Sequence, residues 1–232
     1  MRYNIIATGS GGNCALATFS DEKKVMFDFG KGCFKKCTDV GLVLNSVDQI
    51  LISHAHDDHI GDVHIVPHLL EKKASLEIFN FSLTHNVENQ GFLVANARTG
   101  EAFYYLTDFY DIPDDSLITI TDTLQHLYKR NYKIMFVMEL SYCQHLYEKL
   151  DDIHKFGLQH HLSDVEFFKY AKMFKRIAPK INFITTHASQ RGDYSQGHKG
   201  WNGTVCPPDW VKIQLFNRLG NARFGEAFGF AK

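Results

Sequence analysis

The sequence predicts an α/β fold in which two β-sheets are covered on their outer faces by helices. Three observations carry that prediction. Short apolar runs separated by turn residues fill the first half, and strand-like and helix-like units mix in the second. The residues best suited to chemistry fall just after strand ends, where loops leaving a sheet can converge on one point. The 232 residues, 44% hydrophobic and 22% charged, are ample for one core without disulfide staples. With no repeat, low-complexity tract or linker in view, 1–232 reads as a single domain, with 192–232 as a C-terminal loop and helix packed on it.

The elements follow in order. Tyr3 to Thr8 reads as a strand and Gly9 to Asn13 as a tight turn. Cys14 to Phe19 and Lys24 to Phe29 are further strands. Asp48 to Ser53 is a buried strand that runs straight into a histidine cluster, and Val63 to Lys73 has helical spacing. Leu76 to Thr84, Phe92 to Ala97 and Ala102 to Thr107 form a meander with a turn at Thr99-Gly100. Thr121 to Asn131 reads as a helix capped by Thr121, and Lys133 to Met138 as a buried strand. Glu148 to Phe156 and Ser163 to Ile177 read as helices. The second opens on a capping box, Ser163 with Glu166 three residues later. Ile181 to Thr186 is the last expected strand. Pro207 to Leu219 is the expected closing helix.

A formal net charge of -1 excludes a global basic field of the kind that non-specific nucleic-acid binding favours. The N-terminus is too short and polar for a secretory segment, and no run approaches a membrane span. Five Cys, an odd number without a C-x-x-C pair, point to a reducing, cytoplasmic setting, in which the N-x-S/T triplets at Asn80 and Asn202 carry no meaning. Cys33 and Cys37 are spaced for one helical face. The 13 His stand out, since histidine is both a common metal ligand and a common general acid or base.

The strongest signal is Ser53-His54-Ala55-His56-Asp57-Asp58-His59. Four potential ligands, His54, His56, Asp58 and His59, lie within six residues directly after a buried strand. On a turn, His54 and His56 can reach one metal ion while Asp58 and His59 reach another. Imidazole and carboxylate suit zinc, with manganese or iron as substitutes.

His54-x-His56-x-Asp58-His59 after a strand resembles the signature of the metallo-β-lactamase superfamily. Other segments match in order. Gly9 to Cys14 looks like the G-S-x-G-N turn of the WalJ/YycJ-like branch, and Asp28-Phe29-Gly30 like its D-x-G. Thr84-His85-Asn86, Leu106-Thr107-Asp108 and Thr186-His187 resemble the later ligand-bearing motifs. The resemblance implies a four-layer αββα sandwich of two mixed β-sheets flanked by helices. It also implies two divalent ions, Zn2+ or alternatively Mn2+. His54, His56, His85 and Asp108 would hold the first, and Asp58, His59, Asp108 and His187 the second. Read alone, His85 is a polar strand-end residue and Asp108 a turn residue before Pro113. His198, in a Gly-rich loop, competes with His187, and the strand-end position favours His187.

Glu139, at a strand end, and His161, before a helix, resemble the pair that separates nuclease branches from other superfamily members. There the His acts on the leaving oxygen and the Glu orients it. By themselves they are an ordinary strand-end carboxylate and a polar residue before a helix. The resemblance therefore implies a dinuclear, metal-dependent phosphodiesterase acting on nucleic acid through a metal-activated hydroxide. Asp58, His161 and Glu139 would be its catalytic residues, and a nucleic acid or nucleotide its substrate partner.

Departures bear on the substrate. Phe29 stands where a small residue is common, and Phe109-Tyr110 replaces the usual T-G after the Asp. His59 and His85 are only 85 − 59 = 26 positions apart, where relatives carry an extra segment. Compactness and the missing basic excess favour a small cyclic nucleotide as an alternative. Thioester, lactone or lactam hydrolysis is the alternative from another reaction class. Trp201 and Trp210 fit a lid, a base-stacking platform, a dimer contact or a tail packed on the body. No membrane contact is expected, and a homodimer stays open.

Overall fold

Every residue of the strand Glu101–Leu106 is buried, and its side chains divide between two interiors. Phe103 and Tyr105 pack with Phe27, Leu51 and Val137, whereas Ala102, Tyr104 and Leu106 pack with Ile120, Leu124 and Phe174. A strand that is apolar on both faces has to be covered on both. Period-two alternation thus places this strand in the middle of a layered structure.

The computed structural model describes residues 1–8, 11–66, 75–142, 144, 152–156, 158–187 and 211–212. A four-stranded sheet contains β1 (Arg2–Ala7), β2 (Cys14–Thr18), β3 (Lys24–Phe27) and β4 (Gln49–Leu51) in that spatial order. The other described strands are β5 (Glu77–Leu83), β6 (Asn89–Asn96), β7 (Glu101–Leu106), β8 (Lys133–Glu139), β9 (Asn182–Thr186) and β10 (Val211–Lys212). They form a six-stranded sheet in the order β10-β9-β8-β7-β6-β5. Both sheets are mixed. In the first, β3 pairs parallel with β4. In the second, β5–β6 and β6–β7 pair antiparallel, and β7 to β10 run parallel.

The described helices are α1 (Cys33–Asp39), α2 (Asp57–Ile60), α3 (Asp114–Lys129), α4 (Asp152–Phe156) and α5 (Asp164–Ile177). Cys33 and Cys37 of α1 lie in a cluster with Met26, Ile50 and Val47 on the outer face of the first sheet. Helices α3 and α5 cover the outer face of the second, where Phe136 stacks between Tyr104 at 4.2 Å and Phe174 at 5.0 Å. The layers are therefore α, β, β, α. No helix among the described residues is long and apolar enough to cross a membrane.

Three local expectations differ from the structure. Helix α3 begins at Asp114 after Pro113, seven residues before the expected cap. Thr121 lies inside it, with its hydroxyl donating to the Ile118 carbonyl at 2.8 Å. A Ser or Thr that bonds back along the helix satisfies itself without ending the helix, while Asp114 and Asp115 favourably occupy the positive first turn. The helical spacing from Val63 gives one 3-10 turn at Val63–Ile65, and 67–74 lie outside the described residues. Val211–Lys212, expected in a closing helix, instead extend the second sheet beside β9. Pairing with an edge that would otherwise leave backbone groups unmatched outweighs local spacing. The rest of that expected helix, Trp201, Trp210 and His198 lie outside the described residues. The Ser163 cap is present, its hydroxyl accepting from the Glu166 amide.

Candidate metal centre

The topology brings the chemistry to one end of the sandwich. Strands β5, β7, β8 and β9 all point the same way, because β6 reverses direction between β5 and β7. His85 follows β5, Asp108 follows β7, Glu139 ends β8 and His187 follows β9. The first sheet adds Asp28 after β3 and the His54–His59 segment after its parallel neighbour β4.

All seven expected ligands meet there. The ligand atoms of His54, His56, His85 and Asp108 lie within 4.8 Å of one another, as do those of Asp58, His59, Asp108 and His187. Asp108 belongs to both groups. A third group under the same limit joins Asp108 and His187 to Glu139 and His161. His54 Nε2 is 3.3 Å and His59 Nε2 2.8 Å from Asp108 Oδ2, while His187 Nδ1 is 2.8 Å from Oδ1.

The loop is built by close backbone approach. The Asn13 amide donates to the Asp58 carbonyl at 2.6 Å, and the Gly30 amide donates to the Asn13 carbonyl at 3.0 Å. A Cβ on Gly30 would fall 1.8 Å from the Asp58 carbonyl oxygen, so only glycine fits the third position of the D-x-G motif. Asp28, Asp108 and His187 have φ of 59°, 51° and 55°. These left-handed conformations cost energy for a residue with a Cβ, and such strain persists only where the surroundings impose it. The Asn89 side chain does so for Asp108, donating to the Thr107 and Asp108 carbonyls.

Asp28, which the sequence offers only as a motif residue, ties the histidine segment to both sheets. Fully buried, it accepts from the Ser53 amide at 2.8 Å, the Ser53 hydroxyl at 2.9 Å and the Tyr105 hydroxyl at 2.9 Å. It also lies 2.8 Å from His59 Nδ1. That contact assigns the proton to Nδ1 and leaves Nε2 facing Asp58, Asp108 and Asn13. In the same way, His85 Nδ1 donates to the His160 carbonyl at 3.1 Å, leaving Nε2 as its acceptor. Asn13 was also missed. Its side-chain amide reaches Asp58 Oδ2 at 3.1 Å, a contact across 45 residues that no local pattern encodes.

The electrostatics show a site that calls for positive charge. Burial alone would depress the His59 pKa, but Asp28 and Asp108 outweigh it and hold it at about 10. Burial likewise opposes protonation of His161, yet Glu139 and Asp108 raise it to about 9. His187 is raised well above the usual imidazole value by Asp108 and Glu139. Burial would raise Asp108, but His187, His161 and His54 hold it well below the carboxylate range. Burial dominates at His85 and pushes it down to about 4, which keeps the ring neutral and able to ligate.

Buried carboxylates are here neutralised by protons that a divalent cation can replace. Among the described residues His187 Nε2 is buried without a hydrogen-bond partner, a costly arrangement unless another group satisfies it. The N/O donor set and this orphaned nitrogen fit divalent ions. Replacing Asp28 with Asn is accordingly expected to weaken divalent-ion affinity about 10- to 100-fold, by loosening His59 and lowering its basicity. Zinc titration of the purified variant followed by calorimetry measures it, and unchanged affinity would remove Asp28 from this role.

Beside the two groups, Glu139 is fully buried. It accepts from the Phe109 amide at 2.7 Å and the Ser141 hydroxyl at 2.5 Å, and faces His161 Nδ1 at 2.7 Å. A pocket of about 220 Å³ opens over the centre, lined by His56, Asp58, Asp108, His161 and His187 among others.

Comparisons with known proteins agree with this architecture. A family model described as "Anti-Pycsar protein Apyc1" matches residues 8–87. A curated protein of that description from Bacillus phage vB_BveM-Goe7 is 38% identical over 71 residues, 28% of this chain and 27% of the phage protein. The exodeoxyribonuclease YycJ of Bacillus anthracis is 26% identical over 156 residues, 61% of this chain and 55% of that protein. The matches thus span about a quarter to just over half of these relatives. Among solved structures, the metallo-β-lactamase fold protein YhfI from Bacillus subtilis superposes with a TM-score of 0.59 at 15% identity. That superposition covers 92% of this chain and 96% of YhfI. The layer order, the strand-end site and this superposition together identify the fold of the chain as the metallo-β-lactamase fold.

Proposed function

We propose that the chain is a metal-dependent phosphodiesterase acting on nucleic acid. The observation that carries the proposal is the Glu139–His161 pair, set beside Asp108 but bonded to each other at 2.7 Å. A thioester releases a thiolate that needs no proton to leave, whereas phosphodiester hydrolysis has to place a proton on a departing alkoxide, the task a carboxylate-steered histidine can perform. The similarity to an exodeoxyribonuclease over 156 residues supports the same reading.

In this proposal, His54, His56, His85 and Asp108 hold one divalent ion, and Asp58, His59, Asp108 and His187 the other, Zn2+ or alternatively Mn2+. When bound, such a pair supplies Lewis acidity to phosphoryl oxygens and lowers the pKa of an attacking water. Asp58 orients that water, its side chain being only partly buried at the pocket wall. His161 carries a proton toward the leaving oxygen, and Glu139 holds its ring by Nδ1, so that Nε2 is the transferring atom. Burial would protonate Glu139, but His161 and His187 beside it hold its carboxyl below the usual value and keep it ionised for that task.

A second reading, a small cyclic nucleotide as substrate, is favoured by the pocket of about 220 Å³ and the formal net charge of -1. One panel decides among the readings. The full chain, loaded with zinc or manganese, is assayed on single-stranded DNA, duplex DNA, RNA, cyclic mononucleotides, nitrocefin and a thioester. Turnover of polynucleotide is expected. Turnover confined to the cyclic substrates selects the second reading, and turnover of nitrocefin or thioester alone overturns both.

A further inference from the structure

Eight of the nine described residues that line the pocket over the centre are polar or titratable, and the ninth is Phe156. It sits on the short helix α4 with 70% of its surface exposed. A lone exposed Phe is ordinary on a protein surface, but one that lines a polar pocket offers its ring face to whatever enters, and covering that ring gains the burial it otherwise forgoes. Tyr110, 39% exposed, places its ring 5.8 Å from that of His160, which lines the same pocket. Among the described residues no Lys or Arg lines the pocket. Beyond the reacting phosphate, the organic part of a substrate therefore finds the flat rings of Phe156, His160 and Tyr110 at this rim.

We propose that Phe156 stacks a nucleobase of the nucleotide joined to the scissile phosphate, so that the pocket selects nucleoside phosphodiesters over simple phosphodiesters. This rests on the phosphodiesterase reading. A nucleoside presents an anion and a planar apolar body within one unit, which matches a polar floor with an aromatic wall. Stacking on a side chain tolerates every base, because each has a π-face. Phe156 therefore sets affinity for the base-bearing class without choosing among bases. A strand end and a cyclic nucleotide share this chemistry.

The test compares the metal-loaded full chain with its Phe156→Ala, Phe156→Leu and Phe156→Trp variants. Substrates are a thymidine dinucleotide, its analogue with one base removed, and a cyclic mononucleotide. Phe156→Ala and Phe156→Leu are expected to raise KM about tenfold to a hundredfold on the base-bearing substrate, with kcat nearly unchanged. The abasic analogue should show no such change, and Phe156→Trp should keep the wild-type KM. An effect on the dinucleotide alone, or on the cyclic nucleotide as well, identifies which source supplies the base. Equal loss with and without the base, or no loss on either, overturns the proposal. Fluorescence quenching of 2-aminopurine in a phosphorothioate-linked dinucleotide gives a readout independent of turnover. Should no phosphodiester be cleaved, quenching by wild type that Phe156→Ala abolishes upholds the stacking site, and absent quenching sinks it.

Discussion

Replacing Asp108 with Asn is expected to abolish turnover, with a loss on the order of 10³-fold or more, and to drop bound divalent ion from the proposed two per chain to one or none. Asn is the informative substitution because Asp108 has φ 51°, a conformation Asn tolerates and Ala does not. The backbone then stays put, and what is lost is charge. Among the described residues Asp108 alone is common to all three clusters of candidate ligands, and His54, His59, His161 and His187 all approach its carboxylate within 3.4 Å. Removing the anion also removes the reason those rings gather, so both ion positions should weaken together. Elemental analysis of the purified variant, alongside its rate on the best substrate of the panel, reads both effects. Two tightly held ions in Asp108→Asn would refute a shared ligand.

His161→Ala is expected to leave both ions in place and slow kcat by about 10²- to 10⁴-fold, the usual worth of a positioned general acid. Its ring is 3.4 Å from Asp108 but 2.7 Å from Glu139, so the geometry ties it to the carboxylate more closely than to the candidate ligands. Glu139 keeps the Phe109 amide and the Ser141 hydroxyl in the variant, so the fold should survive. Substrates with a good leaving group, such as p-nitrophenolate, need little protonation and should lose far less than a nucleotide substrate. Loss of metal in His161→Ala would instead make it a ligand, as its membership of the third cluster allows. An equal loss on both kinds of substrate would rule out its role as the acid.

Much of this site was legible in the sequence because it is built from strand ends. An apolar run announces each strand, and a polar residue just past it has few places to go except the shared rim. The His54–His59 segment compresses four donors into one turn, and His85, Asp108 and His187 each follow a recognisable run. What could not be read is what crosses between distant runs. Asp28 and His59 are 31 positions apart, and Tyr105 reaches Asp28 over 77. No periodicity signals either contact. The late start assigned to α3 had another cause. Thr121 has the identity of a cap, but its hydroxyl is spent on its own helix, while Pro113 followed by two acidic residues was the better signal. At Val211–Lys212 the expected closing helix gives way to strand because the sheet edge at β9 offers pairing that no local spacing reveals.

Asp28 emerges from one sheet, and the tyrosine that holds it emerges from the other. The candidate ligands divide in the same way, with the His54–His59 segment on one slab and His85, Asp108 and His187 on the opposing slab. Ions seated there would act as rivets through a seam that is otherwise greased by Phe27, Phe92 and Tyr105. Occupancy would then govern how firmly the two halves grip each other, so that a cell starved of the metal would hold a looser body as well as an idle catalyst.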